Sequence, residues 1–283
     1  MHHYTSLYLN IHQWSIMHTS ILNILSTTKT RLQALGPHKC SECIGEQFEK
    51  RDFLSAVESA KTEGLVPVIA EIKPASPGKV FRNILPSTAL RLALEMEQAG
   101  AIAISVLTEP QVFRGSLENL NVVRENVSLP VLRKDFIIDT RQLEEAETDL
   151  VLLIAGILGK ELPTFVDITF EKGFEPLVEV HNIDELELSL KTSTRIIGIN
   201  NRSLETLKID LVTTKELAPI IREYDFNHGT RHLIISESGM KNAEDIKRVI
   251  EAGVDAVLIG SVIMESDDVF ETTNKLVQSF CWR

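Results

Sequence analysis

The chain has 283 residues, 43% hydrophobic and 24% charged, a length that suits one α/β barrel or two ordinary domains and supports a full core. Its net charge of −11 excludes nucleic acid as a general partner, so positive charge for any anionic substrate must be concentrated locally. Aromatic residues are only 6%, and the apolar content is mostly Leu, Ile, Val and Ala, which favours α/β layers over an all-β sandwich; no apolar run reaches the ~20 residues that span a bilayer.

Residues 1–20 are rich in His, Tyr, Ser and Thr, and the first lysine is Lys29. They have neither the basic start and apolar stretch of a signal peptide nor the arginines of a transit peptide. They are expected to be a disordered extension, or to reflect a start at Met1 where the biological start is Met17. Apolar residues at Ile21, Ile24, Leu25, Leu32 and Leu35 then fall near helical spacing, and Phe48, Phe53, Leu54 and Val57 suggest a second helix or turn. The region 21–64 is therefore expected to be a helical segment packed on a larger domain, 65–283. Within it, Cys40 and Cys43 form a single C-x-x-C. With His38 nearby but no fourth ligand, a zinc site is not expected, and with Cys281 these read as reduced thiols of a cytoplasmic protein.

From residue 65 onward, short apolar runs alternate with amphipathic segments. Strands are expected over 65–73, 101–108, 130–136, 150–155, 176–180, 196–200, 233–237 and 256–260. Helices are expected over 87–98, 116–126, 139–146, 160–171, 183–190, 211–224, 242–251 and 267–280. Ser116, Asp139 and Asn242 stand where N-caps belong, and Gly100, Gly173 and Gly253 where helices end. Eight strand–helix pairs imply a (β/α)8 TIM barrel with an N-terminal helical extension. The alternative is an open doubly wound sheet, which usually carries a glycine-rich phosphate fingerprint after its first strand; this chain has none there.

The first strand carries two charges in a buried run, Glu71 and Lys73. Two residues apart on a strand, they point to the same side and are costly unless they pair or do chemistry. They lie at the strand's C-terminal end, where such barrels place their active sites. The other strand ends offer Ser76, Thr108, Glu109, Arg133, Lys134, Asp135, Glu179, His181, Asn200, Asn201, Arg202, Glu237, Ser238, Gly239, Gly260 and Ser261, and the fourth end offers nothing polar. Most polar strand-end residues are turn formers or caps, and His181 and Asp135 read equally well that way. The set is harder to dismiss, because Lys73, Lys134, Glu71 and Glu179 are bulky charges converging on one mouth. The last two ends, Ser236 to Gly239 and Ile259 to Ser261, offer small residues and free backbone N–H groups where this fold commonly grips phosphate. The residues alone thus lead to a barrel enzyme that acts on a small phosphorylated anion by Lys/Glu acid–base chemistry.

Seven stretches resemble the indole-3-glycerol phosphate synthase family of tryptophan biosynthesis, in that family's order: Ala70 to Lys73 with Ser76-Pro77; Ile104 to Glu109; Val131 to Phe136; Leu177 to His181; Ile197 to Arg202; Ser236 to Gly239; and Leu258 to Ser261. The resemblance implies closure of the indole ring of 1-(2-carboxyphenylamino)-1-deoxyribulose 5-phosphate with loss of CO2 and water, with no metal or organic cofactor. By motif match, Lys134 would be the acid that protonates the ketone oxygen. Glu179 and Glu71 would stabilise the anilinium nitrogen or move protons, and Lys73 would hold a substrate anion or act in dehydration. Ser76, Asn200, Arg202, Glu237 and Ser238 would bind substrate, and Ser238, Gly239, Gly260 and Ser261 would grip its phosphate. The N-terminal helices would cover the barrel mouth. The loop Ser76 to Val80 departs from the family's Ser-Pro-Ser-x-Gly pattern and takes a shorter path to Pro86.

Two rival readings are another barrel of the same pathway, phosphoribosylanthranilate isomerase, and a non-catalytic ligand-binding barrel. The first typically needs a Cys and Asp pair at strand ends, and no Cys lies between Cys43 and Cys281. The second would be expected to lose its costly charges first. The acidic surface favours a monomer with a small-molecule substrate and no nucleic-acid or membrane partner; membership of a larger pathway complex stays open.

Overall fold

The computed structural model describes residue 14, residues 16–34 and residues 49–281. The expectations for the chain start and for the Cys40/Cys43 pair concern residues outside this set. Eight parallel strands close into a barrel: β1 (Val68–Ile72), β2 (Ala103–Leu107), β3 (Val131–Lys134), β4 (Leu150–Ile154), β5 (Glu175–Val180), β6 (Ile196–Asn200), β7 (Leu233–Glu237) and β8 (Ala256–Ile259). β1 pairs with both β2 and β8, which closes the ring. The chain is a (β/α)8 TIM barrel, not an open sheet.

The turns follow the local chemistry of the sequence. Ser116 and Asn242 accept backbone N–H bonds at the starts of helices Leu117–Asn126 and Ala243–Glu251. Gly100 and Gly253 adopt φ of 93° and 103° between a helix and the following strand, a conformation that costs glycine nothing. Asp139 is also a cap, but the helix expected after β3 is only a 3-10 turn, Thr140–Glu144. Buried Gln142 accepts the N–H groups of Ile138 and Asp139 and donates to the Phe136 carbonyl, and the Arg133 guanidinium donates to the Gln142 main-chain carbonyl. Those bonds tie the turn to β3 instead of to a longer helix. Two short helices were not expected, Ala155–Leu158 after β4 and Ser261–Glu265 after β8.

Alternation along the strands separates two cores. Ile69, Leu132, Leu152, Leu177, Ile196, Ile235 and Leu258 fill the barrel, while Val68, Ile104, Val131, Val178, Ile197 and Val257 face the outer helices. The N-terminal segment closes the filled barrel at both ends, although the sequence reading put it over the mouth alone. Helix Thr19–Ala34 lies at the C-terminal mouth: Ile21 lines the cavity there, His18 N donates to Leu204 O at 2.8 Å, and Arg141 reaches Leu32 O. Helix Phe53–Thr62 buries Phe53, Val57 and Ala60 in the same core. It is fixed to the opposite end, because its anchors are carboxylates at strand N-termini. Arg51 binds Asp149, Lys50 binds Glu175 and Lys61 binds Asp255 at 2.5 Å.

The shortened loop after β1 is a tight hairpin pairing Ala75–Ser76 with Lys79–Val80 around Pro77-Gly78. Gly78 has φ of 79°, as the third position of a type II turn requires. Lys79 pairs with Glu265 at 2.8 Å, and Arg82 caps the carbonyls of Met264 and Ser266, so the hairpin leans on the short helix after β8.

Asp149 shows what the lower end contributes. Fully buried, it takes the backbone N–H groups of Arg51 and Val131 and faces the guanidinium groups of Arg51 and Arg124. Asp149→Ala removes the buried carboxylate that faces both guanidinium groups and takes two backbone N–H groups, and we expect a loss of about 3–5 kcal/mol in denaturant unfolding, with the KM for substrate unchanged because the site is at the other end.

Candidate active site

The cavity at the mouth is lined by Glu71, Lys73, Ser76, Lys134, Glu179, Asn200, Arg202, Ser238, Gly239, Gly260 and Ser261, all singled out in the sequence. Glu237, also singled out, lies below the lining and is fully buried. The inward parity of β1, β3, β5 and β7 brings the charges together. Lys73 Nζ is 2.7 Å from Glu71 Oε2, the ion pair expected from their spacing. Lys134 Nζ is 3.7 Å from Glu71 Oε1 and 3.7 Å from Glu179 Oε2, and it binds Glu237 directly. One ammonium is thus ringed by three buried carboxylates from three other strands.

Burial alone would strip the proton from Lys134, but Glu237, Glu71 and Glu179 together hold it well above the ordinary lysine range. Burial would likewise raise Glu71, yet Lys73 and Lys134 keep it below the usual carboxylate value. Burial of Glu179 is outweighed by His181 and Lys134, and its pKa falls to about 2. Glu237 goes the other way, to about 7: burial and the charge of Glu179 exceed the pull of Lys134. Three carboxylates facing two ammonium groups leave one carboxyl to keep its proton.

Two glycines make this packing possible. A Cβ at Gly260 would sit 2.3 Å from Glu71 Oε2, and one at Gly198 would sit 2.3 Å from Glu237 Oε1. Gly260, read from sequence only as a phosphate contact, therefore also makes room for Glu71. Gly198 drew no attention in the sequence, where a glycine inside a β-branched run is the available signal. Ser238 is held at φ of 64°, a left-handed conformation costing about 1–3 kcal/mol, and its carbonyl accepts from buried Asn201. Asn201 also joins Ser236, the Glu237 carbonyl and Thr214, so it stitches β6 to β7 and does not enter the cavity. Arg202 lines the cavity and donates to Leu207 O at 3.1 Å.

The remaining strand-end residues divide. Thr108, Asp135 and Arg133 form a buried bonded group beside Lys134. Glu109 accepts the N–H groups of Gln111, Val112 and Phe113, shaping the loop that brings Phe113 to the mouth. There Phe113 lies 6.0 Å from Phe136, and with Ile21, Leu107, Leu152 and Ile154 they form an apolar wall absent from the sequence reading. The cavity therefore has an apolar side, a floor of paired ammonium and carboxylate groups, and an end made of Ser and Gly. His181, which read equally well as a cap, sits between Glu179 and Glu185.

Fold and cavity define the TIM-barrel class, with a pocket of paired charges and an apolar wall at the C-terminal mouth. Residues 23–276 match the family model described as indole-3-glycerol phosphate synthase. The chain is 43% identical over 244 residues to a protein of Aquifex aeolicus with that name, covering 84% of this chain and 90% of that protein. A namesake from Methanocaldococcus jannaschii is 42% identical over 236 residues, covering 82% and 85%. The chain belongs to the indole-3-glycerol phosphate synthase family, whose members are carboxy-lyases. Among solved structures, the N-acetylmannosamine-6-phosphate 2-epimerase of Clostridium perfringens overlays with a TM-score of 0.53 at 14% identity, covering 77% of this chain and 93% of that one, a likeness of fold alone.

The raised carboxyl of Glu237 carries a stability signature. Between its ordinary value of 4.5 and about 7, the folded protein keeps a proton that the unfolded chain has lost. Stability is therefore given up as pH rises through that window. Melting temperatures should fall from pH 4.5 to 7 more steeply in the native protein than in Glu237→Gln, and parallel curves would contradict the assignment.

Proposed function

We propose that this chain carries out its family's ring closure with Lys134 as the central acid. The substrate, 1-(2-carboxyphenylamino)-1-deoxyribulose 5-phosphate, has an aromatic ring with a carboxylate, a ketone and a phosphate. The aromatic carbon bearing the carboxylate attacks the ketone carbon, and the ketone oxygen takes a proton as the C–C bond forms. Loss of CO2 returns the electron pair of its bond to the ring. Departure of the new hydroxyl as water, with loss of a proton from the adjacent carbon, completes the indole.

The observation that carries this reading is Lys134, a buried ammonium ringed by Glu71, Glu179 and Glu237 at the cavity floor. Its carboxylates keep it protonated until an oxygen in the cavity becomes more basic than an amine, as the alkoxide formed on attack does. Glu179 and Glu71, both held ionised, are suited to stabilise the anilinium nitrogen and to accept protons in dehydration. Lys73 is suited to hold a substrate anion or to act as the acid in dehydration, with Glu71 keeping it charged. The apolar wall of Phe113, Phe136 and Leu107 suits the benzene ring. Ser76, Asn200 and Arg202 orient the substrate, Glu237 acts on it from beneath the cavity through Lys134, and Ser238, Gly239, Gly260 and Ser261 take the phosphate with their hydroxyl and backbone N–H groups. These residues do so without a metal or organic cofactor.

We further propose that the protein acts in the cytoplasm as a monomer; no helix among the described residues is long and apolar enough to cross a membrane.

A positioned acid contributes about 10²–10⁴-fold. Lys134→Ala should lower kcat by that factor in an indole-fluorescence assay, with a smaller change in KM. Near-native turnover would overturn the acid assignment and leave the family activity standing.

A further inference from the structure

His181 ends β5 with both ring nitrogens facing carboxylates. Its Nδ1 is 2.9 Å from Glu185 Oε2 and its Nε2 is 3.2 Å from Glu179 Oε1. The two contacts differ in kind. Glu185 is fixed from outside the cavity: it accepts the His181 backbone N–H at 2.9 Å and the Asn182 amide, while its own N–H caps onto Asn182. The backbone at Gly156 packs so closely that a Cβ there would lie 2.5 Å from Glu185 Oε1. Glu185 is thus an anchored counter-ion, and a helix cap alone would account for it. What the cap does not explain is Nε2, which is buried and lies 3.2 Å from Oε1 of Glu179, the carboxylate that also reaches Lys134.

We propose that His181 is a positioning residue: an imidazolium clamped by Glu185 that places a fixed positive charge behind Glu179 and keeps Glu179 ionised and aimed into the cavity. The proposal rests on the reading of Glu179 as a working carboxylate.

The surrounding charges support it. On the cavity side Glu179 meets Lys134 of β3 at 3.7 Å and Asn200 of β6, and it adjoins Glu237 of β7, the carboxyl that keeps a proton up to about pH 7. Lys134 is shared among three carboxylates and Lys73 is committed to Glu71, so neither can neutralise Glu179 by itself. Neighbouring β4 offers only Ile154 opposite Glu179. His181 is the remaining cation in contact with Glu179 among the described residues, and its two carboxylates overcome burial to raise its pKa to about 10. Without that charge, Glu179 would compete with Glu237 for the proton the cavity retains.

The test is the single-turnover rate of ring closure against pH in the full-length protein, with His181→Gln, Glu185→Gln and Glu179→Gln. Removing an adjacent opposite charge raises a carboxylate pKa by about 1–3 pH units. Because Glu179 acts ionised, its loss of activity runs toward low pH. The native rate should stay level down to the pH of unfolding. His181→Gln should acquire an acid limb within the folded range and approach the native rate at the alkaline end, with KM little changed. Glu185→Gln, which retains the cap acceptor, should move the limb in the same direction by less. A His181→Gln profile that drops equally at all pH values, or does not change, overturns the proposal. If Glu179→Gln abolishes turnover in that case, the reading of Glu179 survives; if Glu179→Gln keeps turnover, that reading falls and the proposal with it.

Discussion

Burying Lys134 at the floor of an apolar barrel is the constraint on which the rest of the site depends. A lone ammonium there would be forced neutral, and an acid for ring closure would be lost. The barrel supplies Glu71, Glu179 and Glu237 from three other strands to keep it charged. That solution creates a second difficulty, an excess of carboxylate. Lys73 offsets Glu71, His181 faces Glu179, and Glu237 keeps a proton up to about pH 7. The bulk of these carboxylates then dictates glycine at positions 198 and 260.

The two ends of the barrel are built for different purposes. At the strand N-termini, Asp149, Glu175 and Asp255 each hold cations from the N-terminal segment, with Asp255 also holding Arg222 of helix Val212–His228, and Asp149 and Asp255 take strand N–H groups. Those carboxylates are fully committed and serve stability. At the mouth, Glu71, Glu179 and Glu237 are buried around the ammonium groups of Lys73 and Lys134, and Glu71 and Glu179 line the cavity. Such a buried cluster is costly to the folded protein, and its cavity-facing part is available to a substrate. Helix Thr19–Ala34 extends the apolar core over this mouth and limits water around the charges.

The barrel was legible because each strand is a short β-branched run between helical patterns, and because Ser116, Asn242 and the helix-ending glycines punctuate the chain. The third helix was misjudged: Asp139 and Leu143 resemble a helix start, but the bonds from Gln142 and Arg133 that convert it to a 3-10 turn are not visible in a periodicity. The Glu71–Lys73 pair could be read from parity within one strand. The Lys134–Glu237 contact spans 103 residues and could be inferred only from barrel convergence. Gly198 and the Phe113–Phe136 wall were missed because each is defined by partners brought in by other strands and their loops, and the two-sided setting of His181 because Glu179 before it and Glu185 after it reach the ring only once the strand turns into the helix. A polar residue after a strand looks the same in sequence whether it caps a helix or faces a cavity.

The most direct test of this account is the protonation of Lys134 itself, followed by NMR of selectively labelled lysine side chains in the substrate-free protein. The account predicts that Lys134 stays an ammonium after the exposed lysines have lost their protons, and that Glu237→Gln brings its titration down toward theirs. A Lys134 that loses its proton before the surface lysines would contradict it, because the ring of carboxylates would then not be what holds the charge in place.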